Sequence, residues 1–441
     1  MKKLINTFKD IFSIPELKRR IINTILLLMV FRLGSYVVLP GIDPTKLQSS
    51  FQDIRGLLDT FLGGAFGRAS IFALGIMPYI SASIVVQLLT VALPEFQKMQ
   101  RKEGEAGRKK LTRITRLLTI AITLVQSFAF LATINSDALV VSRSFFTFSS
   151  VILLTTGTIF CMWLGERITE RGIGNGISLL IMIGIISRFP KAIYQEVETA
   201  LVGVGGELKL VLEAVVLILV VMGIVMLTQA VRNVPVQYAK QVVGNKVWGG
   251  RRQMLPLRLN AAGVMPIIFA QSLMFLPAML AGLFASPDSD LAVTIGMFSN
   301  PFTWQYNLVF GILIILFTFF YTAITIDPRQ IADDLKRSGG FIPGIKPGEP
   351  TAHYIDSILS KITLPGSIFL AIVAIIPAIV QYFGVSSDFA QFYGGTSLLI
   401  MVGVVADTVQ QVDAYLIQKR YESLMKSGQI SSPVGGTIDV A

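Results

Sequence analysis

One stretch of the sequence sets the class of fold, because it is long, apolar and free of charge. Residues 71–93 read IFALGIMPYISASIVVQLLTVAL. About 20 consecutive, mostly apolar residues are needed for a helix to cross the hydrocarbon core of a membrane. The stretch meets that requirement, and it therefore predicts a membrane-spanning helix.

The composition extends this interpretation to the whole chain. Of the 441 residues, 53% are hydrophobic and 15% are charged, whereas a typical soluble domain has about 25% charged residues. The sequence contains a single cysteine, Cys161, and a single histidine, His353. These numbers argue against a disulfide framework and against a zinc or haem centre. They predict an integral membrane protein.

Ten segments share the length and apolar character of a membrane span. They are residues 21–39, 71–93, 114–134, 148–164, 173–186, 210–227, 262–284, 308–326, 362–383 and 396–415. The fifth segment is short for a span. The predicted fold class is an all-α membrane protein with ten transmembrane helices, which places both termini on the same side.

The distribution of basic residues orients these spans. The net charge is +11, from 38 Lys and Arg against 27 Asp and Glu. Of the 38 basic residues, 29 lie in the termini and the loops on their side, and seven lie in the opposite loops. Loops that stay in the cytoplasm collect Lys and Arg. We therefore expect both termini to be cytoplasmic. The basic surface could also contact anionic lipid, rRNA or an acidic partner.

The outer segment 41–70 is long and ends in FLGGAFGRAS (residues 61–70). Residues 61–70 are too few and too rich in glycine to span a membrane, yet they are apolar enough to pack into protein. Irregular backbone at membrane depth is tolerated where protein or a water-filled cavity satisfies its polar groups. Two interpretations remain open: a half-helix that folds back into a cavity, and a glycine-rich outer loop.

Two predicted cytoplasmic loops, residues 232–258 and 328–361, are longer than simple connectors. Both are basic, and the second contains the turn-rich sequence PGIKPG (residues 343–348). Such loops favour docking of a soluble partner. Retention of positive loops in the cytoplasm accounts for their charge but not for their length.

The glycines of GERITERGIGNGIS (residues 165–178) superficially resemble a nucleotide-binding loop. They follow no strand of a βαβ unit, and no G-x-x-x-x-G-K-[ST] sequence occurs in the chain. We expect a tight turn between two spans.

The predicted spans have almost no carboxylates near their centres, where a coupled transporter commonly uses them. The sequence also contains no nucleophile–base pair that would indicate an enzyme.

Several motifs in the same order as in one known family give the chain a resemblance over nearly its whole length. They are residues 72–83 (FALGIMPYISAS), 165–178, 262–266 (AGVMP), 343–348 and 394–400 (GGTSLLI). They resemble the SecY family of bacterial protein translocase subunits. The family commonly has Arg in P-G-x-R-P-G, where this chain has Lys346. Lys retains the charge but loses the bidentate geometry of Arg.

The resemblance implies an architecture and a set of partners. The expected architecture is two inverted, pseudosymmetric halves of five helices each, about residues 1–200 and 205–441, around an hourglass pore. The expected function is passage of unfolded secretory polypeptides across the plasma membrane and lateral release of membrane-protein helices into it. The expected partners are the SecE and SecG subunits, the SecA ATPase and the ribosome. The chain itself is expected to be non-enzymatic, without a cofactor or a metal.

The resemblance also implies a seal in the pore. A ring of aliphatic side chains would expel water and raise the cost of ion entry. The ring residues carried over to this sequence are Ile76, Ile80, Ile181, Ile268 and Ile400. Taken singly, each of them would more simply be a core or lipid-facing residue. The plug residues carried over are Phe61, Leu62, Gly63, Gly64, Ala65, Phe66 and Gly67.

The remaining expected sites are a lateral gate and a docking surface. The gate is expected between spans two and seven, bordered by spans three and eight. Its candidate residues are Ser81, Ser83, Gln87, Asn260, Gln271 and Ser272. The candidate docking residues are Lys240, Arg251, Arg252, Arg337 and Lys346.

Two other functions fit ten spans. A secondary transporter or facilitator of a small solute is the main alternative, and uptake by the purified chain in liposomes would identify it. An insertase or assembly scaffold without an aqueous path is the second. Ion conductance after deletion of residues 60–70 would distinguish that scaffold from a plugged channel.

Overall fold

Long helices make up most of the protein. The structure is a computed structural model that describes residues 14–43, 64–101, 103–132, 134, 138–202, 206–238, 241–243, 246–248, 252–260, 262–284 and 302–426. The first six helices are α1 (Pro15–Gly34), α2 (Met77–Ala92), α3 (Pro94–Arg101), α4 (Gly104–Ala132), α5 (Arg143–Arg171) and α6 (Gly176–Val202). Those that follow are α7 (Gly206–Gln229), α8 (Met265–Phe284), α9 (Trp304–Thr325), α10 (Pro328–Arg337), α11 (Glu349–Tyr382), α12 (Ser387–Ala390) and α13 (Gly395–Lys426).

Each of the ten predicted spans overlaps one of these helices. Within the described residues, seven helices are long and apolar enough to cross a membrane, and an eighth is obtained if α2 and the start of α3 form one bent span. Helix α1 is not among them because its 20 residues contain several charged side chains. The helices agree with a multi-pass all-α membrane fold, although length and composition alone do not establish the number ten.

Several predicted boundaries differ from the structure; for example, α4 and α11 start at least ten residues before the predicted spans 114–134 and 362–383, and α13 ends at Lys426 and not at residue 415. The second span starts at Met77 and not at residue 71, because residues 71–76 form turns and Pro78 occupies the first turn of α2, a position that proline favours. The first helix ends at Gly34 and not at residue 39. The fifth predicted span is much longer than expected, since α6 has 27 residues and continues through Pro190.

A small β-sheet was not predicted. Strands β1 (Val231–Tyr238), β4 (Arg252–Arg258) and β5 (Gly340–Phe341) form an antiparallel sheet in the order β4-β1-β5. Strands β2 (Gln241–Val243) and β3 (Lys246–Trp248) form a separate hairpin. The segments 232–258 and 328–361, expected to be loops, therefore meet in one sheet. The prediction that both segments are loops is therefore wrong, because they contain strands and helices.

The sheet has a hydrophobic core of its own, separate from that of the helical bundle. It packs Val234 and Val236 of β1 against Leu335 of α10 and Ile355 of α11. The alternation of buried and exposed side chains along β1 is typical of a strand with one packed face. Helices α10 and α11 thus support the sheet, and the two chain segments form one compact unit.

The N-terminal part of the bundle consists of α1–α6 and the C-terminal part of α7–α13. Among the described residues, the two parts contact each other mainly in two zones. In the first, α6 packs against α7, α12 and α13. In the second, α8 packs against α2 and α4. Within the parts, α4 packs against α2 and α5, and α9 packs against α8 and α11. We call the first zone the α6 seam and the second the α8 seam.

Candidate pore, plug and docking surface

The five candidate ring residues are all buried, and they lie on four helices. Ile76 caps α2 and Ile80 lies in its first turn, whereas the others lie on α6, α8 and α13. Each side chain is at most 6% exposed, and all five belong to the large apolar core of the bundle. The structure therefore rules out a lipid-facing position for them in this conformation. These helices come from both parts of the bundle and pack pairwise across the two seams.

The described residues of the candidate plug, 64–67, form turns together with the following residues 68–70, and we call residues 64–70 the plug segment. Phe61, Leu62 and Gly63 lie outside the described residues. Within 64–70 no helix forms, so the half-helix interpretation is not supported there. Ala65 and Phe66 are buried in the core of the bundle, while Gly64 and Gly67 are half-buried. The glycine-rich segment is thus packed into protein, as its apolar composition predicts.

Contacts with two neighbouring segments hold this turn region in place. The Phe66 ring packs edge-on against Phe130 of α4, with 4.7 Å between ring centroids. The backbone N–H of Leu39 donates to the carbonyl of Ala69 at 2.9 Å, and Ser70 forms an isolated β-bridge with Val38. Among the described non-glycine residues, only Ala69 has a positive φ, of 47°, which costs energy for an L-residue. These contacts hold the segment around a strained turn.

An aromatic–cation cluster, which the sequence does not reveal, joins the plug segment to the end of α1. The guanidinium of Arg68 lies 4.2 Å from the ring centroid of Tyr36, and that of Arg32 lies 4.8 Å from it. Arg32 also donates to the Tyr36 hydroxyl at 3.0 Å. Arg68 donates to the carbonyl of Gly64 at 2.9 Å. Arg32 lies in the last turn of α1.

The candidate gate residues on α2 and Ser272 on α8 make hydrogen bonds within their own helices. Ser81 donates to the carbonyl of Met77 at 3.2 Å, and the Gln87 amide donates to the Ser83 hydroxyl at 3.4 Å. The Ser272 hydroxyl donates to the carbonyl of Ile268 at 2.9 Å. Among the described side chains, none of these four makes a hydrogen bond across the α8 seam.

The other two gate candidates line cavities. Gln271 borders a small cavity of about 40 Å³ together with Asn307 and Gln391, enclosed by α8, α9, α11 and α13. Asn260 borders a larger cavity of about 220 Å³ with Ser178 and Asp407. The second cavity lies between the starts of α6 and α8 and the middle of α13. Its lining also includes Val264 and Val404, two residues of the apolar core.

Three of the five candidate docking residues are described, and all three are exposed: Arg252, Arg337 and Lys346. Lys240 and Arg251 lie outside the described residues. Arg252 of β4 pairs with Gln237 of β1, which in turn pairs with Phe341 of β5. The sheet thus brings basic residues that are about 90 positions apart in the sequence onto one unit.

The turn that carries Lys346 is well anchored. The Thr351 hydroxyl donates to the Lys346 carbonyl at 2.9 Å, and neighbouring Ile345 packs on the core of the sheet. Gly344 and Gly348 on either side have positive φ values of 85° and 101°, which explains the glycines of the PGIKPG turn. The lysine is therefore presented to solvent on a defined turn.

Acidic, cysteine and histidine side chains are dispersed among the described residues. No group of three or more His, Cys, Asp or Glu side chains there could hold a metal ion. Cys161 is completely buried, as its apolar surroundings in the sequence predict. His353 is exposed on α11, and not in a loop as expected. The connection at residues 172–175 joins α5 to α6, which confirms the expected tight turn.

Comparison with known sequences identifies the family. The SecY family model matches residues 70–409. The protein translocase subunit SecY of Aquifex aeolicus is 40% identical over 429 residues, covering 95% of this chain and 99% of the relative. The protein translocase subunit SecY of Escherichia coli strain K12 is 42% identical over 428 residues, covering 95% and 96%.

Solved structures share the fold. A protein-conducting channel superposes with a TM-score of 0.64 at 18% identity, covering 90% of this chain and 91% of that one. A SecY structure that concerns a plug domain superposes with a TM-score of 0.63 at 18% identity and the same coverage. Sec61 in a canine ribosome–channel complex superposes with a TM-score of 0.60 at 17% identity, again covering 90% and 91%.

The sequence relatives span almost the whole chain at about 40% identity, and the solved structures share its fold over about 90% of its length. The family identified by the sequence comparisons is that of a membrane channel subunit and not of an enzyme. The chain is a multi-pass protein of the bacterial inner membrane and belongs to the SecY family of protein translocase subunits.

Proposed function

We propose that this chain forms the conducting path through which unfolded secretory polypeptides cross the membrane, and from which membrane-protein helices leave sideways into lipid. The observation that carries the proposal is the burial of five isoleucines on four helices from both parts of the bundle. Taken as the pore ring, Ile76, Ile80, Ile181, Ile268 and Ile400 close the path in the resting state. The two halves are residues 1–200 and 205–441.

The proposed seal follows from the chemistry of isoleucine. A constriction lined by aliphatic side chains excludes water, so an ion would have to lose its hydration shell in order to enter. The same side chains make no directional bonds, so they do not select for particular residues of a passing polypeptide. We propose that the cavity lined by Asn260, Ser178 and Asp407 is the approach to this constriction.

The plug proposal rests on how residues 64–70 are held. They form turns and no helix, and they pack against Phe130 and are bonded to Val38 and Leu39. A displaceable element needs two states that differ by a few kcal/mol. We infer that Phe61–Gly67 close the outer side of the ring and move away when a polypeptide enters.

The lateral gate is proposed at the α8 seam, where α8 packs against α2 and α4. Ser81, Ser83 and Gln87 lie on α2, and Gln271 and Ser272 lie on α8. In the described conformation the serines and Gln87 bond within their helices, and Asn260 and Gln271 line cavities. We propose that these polar groups become accessible when the seam opens.

The sheet and the turn around Lys346 are proposed as the docking surface, on the cytoplasmic side with both termini. Support comes from the exposure of Arg252, Arg337 and Lys346 and from the shared fold with a Sec61 channel in a ribosome complex. SecA and the ribosome, including its rRNA, are the proposed partners there, with Lys240 and Arg251 as further contacts. SecE and SecG are proposed as membrane partners, and anionic lipid as a contact of the basic loops.

Site-specific crosslinking tests this function. A photoreactive or thiol-reactive secretory chain, stalled during transport into liposomes that contain the protein, is expected to crosslink to a cysteine introduced at Ile80 or Ile400. Cys161 is first replaced by Ser to remove the background. Crosslinks at lipid-exposed Val409 of α13 but at neither ring position would contradict the proposal. Uptake of small solutes without polypeptide transport would favour a facilitator instead.

A further inference from the structure

The ring helices α8 and α13 face each other across a polar cavity. Among the described residues, α8 packs mainly on α2, α4 and α9, and α13 packs mainly on α6, α7 and α11. The two helices touch at one level, where a Cβ added to Gly403 of α13 would overlap Cγ1 of Val264 on α8. On the other side of Ile268 and Ile400, a cavity of about 40 Å³ lies between them. There the spacing of the two helices depends on what the cavity holds.

The cavity lies about one helical turn from both of these isoleucines. Gln271 follows Ile268 by three residues on α8, and Ser397 precedes Ile400 by three residues on α13. Residues three positions apart in a helix are neighbours on its surface. Gln271 and Ser397 both line the cavity, so its two walls carry the ring residues. A change in the width of the cavity therefore changes the distance between Ile268 and Ile400.

The α8 wall of the cavity presents a buried acceptor. Gln271 is 7% exposed, and among the described residues its Oε1 atom is completely buried and has no hydrogen-bond partner. A buried acceptor that lacks a donor is costly for the folded state. Most buried polar atoms are therefore bonded to protein or to an ordered water molecule. The Gln271 oxygen lines a space from which such a donor can reach it.

The α13 wall of the cavity presents the start of a helix. The cavity is lined there by Gly395, Thr396 and Ser397, the first three residues of α13. The first N–H groups of a helix have no acceptor within the helix. The N–H of the next residue, Leu398, donates to the carbonyl of Gly394 at 3.3 Å. Groups that need an acceptor thus lie opposite a group that needs a donor.

Water is the ligand that suits both walls. A water molecule accepts from an N–H of α13 and donates to the Gln271 oxygen, whereas an anion at the start of α13 would face that oxygen without donating to it. A cavity needs about 10–15 Å³ to hold one water molecule, so about 40 Å³ has room for a small cluster. Ordered water also replaces missing partners of backbone groups within membranes.

We infer that this cavity binds a cluster of ordered water molecules that bridges Gln271 of α8 to the start of α13 and so holds Ile268 and Ile400 at the spacing of the closed ring. Gln271 is a positioning residue, because it acts on the ring through the bound water. The inference deepens the proposed function and rests on it. It gives Gln271 a role within the C-terminal part, in addition to its place among the gate candidates.

Hydroxyl-radical footprinting with short X-ray pulses, on the full chain in nanodiscs, tests for the water. Radicals that form from a bound water molecule modify the buried side chains beside it. Tyr306 and Phe310 of α9 are buried and line the cavity. Phe269 of α8 is equally buried but packs against Phe317 and lines neither of the two cavities. Modification of Tyr306 and Phe310 is expected to exceed that of Phe269 several-fold.

Variants at Gln271 test the bridge. Gln271→Met removes the acceptor with a side chain of similar length, and Gln271→Asn keeps an amide oxygen. Thr318→Val is the matched control, because the buried Thr318 hydroxyl donates to the carbonyl of Ile314 within α9. Gln271→Met is expected to lose the modification of Tyr306 and Phe310 and to raise the resting ion conductance of planar bilayers several-fold. Gln271→Asn and the control are expected to match the parent protein.

Three results would overturn the inference: protection of Tyr306 and Phe310 in the parent protein, unchanged modification in Gln271→Met, and loss of the modification without a rise in conductance. The first needs no variant. If Gln271→Met does not fold, Gln271→Leu is measured by the same criteria. If the parent protein transports no polypeptide, the proposed function fails, whereas the footprint still decides whether the water is bound.

Discussion

Replacing Gly157 by Ala is expected to open the resting channel to ions. Gly157 lies on α5, where an added Cβ would overlap the carbonyl oxygen of Ile71 and lie 3.2 Å from Ile71 Cγ2. The atom in the way is backbone and cannot rotate aside. Ile71 directly follows the plug segment, and its N–H donates to the carbonyl of Val37 at 2.9 Å. The methyl group therefore strains the attachment of the plug in the closed state.

The size of the effect follows from the cost of overpacking. One extra methylene-sized group in a packed core typically costs about 1–3 kcal/mol. If the strain is relieved when the plug leaves, the ratio of unplugged to plugged channels rises by about 5- to 150-fold. Ion conductance of planar bilayers containing the purified variant, without any secretory substrate, measures this ratio directly.

Gly223→Ala is the matched control for this experiment. Gly223 also lies within a membrane helix, α7, but an added Cβ there would meet only the Phe369 ring at 3.4 Å, which is close to an ordinary contact. Its conductance is expected to equal that of the parent protein. The reasoning is refuted if Gly157→Ala folds normally and conducts no more than the parent, or if both variants leak equally.

Three further predictions concern the pore and the docking unit. A cysteine at Ile80 is expected to crosslink to a stalled secretory chain at least tenfold more than one at Val409, as quantified by gel electrophoresis. Lys346→Glu is expected to weaken binding of SecA or ribosomes several-fold in flotation assays and to leave membrane insertion of the protein unchanged. Binding equal to that of the parent protein would show that the turn is not part of the docking surface. Ile355→Ala, at a residue with 0% exposure, is expected to destabilise the sheet unit by about 2–5 kcal/mol. Faster proteolysis within residues 231–258 checks that effect, and Tyr354→Ala, a half-exposed neighbour, is its control.

The helices could be predicted from the sequence because hydropathy alone determines where a chain enters a membrane. Their ends could not, because local geometry decides them. The apolar run 71–93 hides the turn at Gly75, with a φ of 50°, and the start of α2 next to Pro78. Similarly, the sequence becomes more polar after residue 186, so it does not indicate that α6 continues to Val202. Glu196 in this part of α6 is buried by contacts with residues distant in sequence, such as Ser386.

The sheet was missed for a different reason. Its strands β1 and β5 are separated by about 100 residues, and β5 has only two residues. No local pattern marks such a short strand, and its pairing depends on the position of α10 and α11. The described candidate docking residues nevertheless lie on or beside the sheet unit, since the charge and loop length from which they were selected are local properties. The polar gate candidates show the limit of such reasoning, because a sequence does not tell which way Gln271 faces.

The unequal chemistry of the two seams has a physical consequence for gating. Lipid tails are as apolar as leucine, so no hydrophobic force opposes the separation of two apolar helix surfaces in a membrane. Opening the α8 seam therefore mainly exchanges protein packing for lipid or for a substrate helix. At the α6 seam, separation would leave the Glu196 carboxylate without Lys209 and without the N–H of Ser386. Breaking a buried charged pair by removing one partner costs about 3–5 kcal/mol. We therefore expect the bundle to open at the α8 seam, where separation costs less.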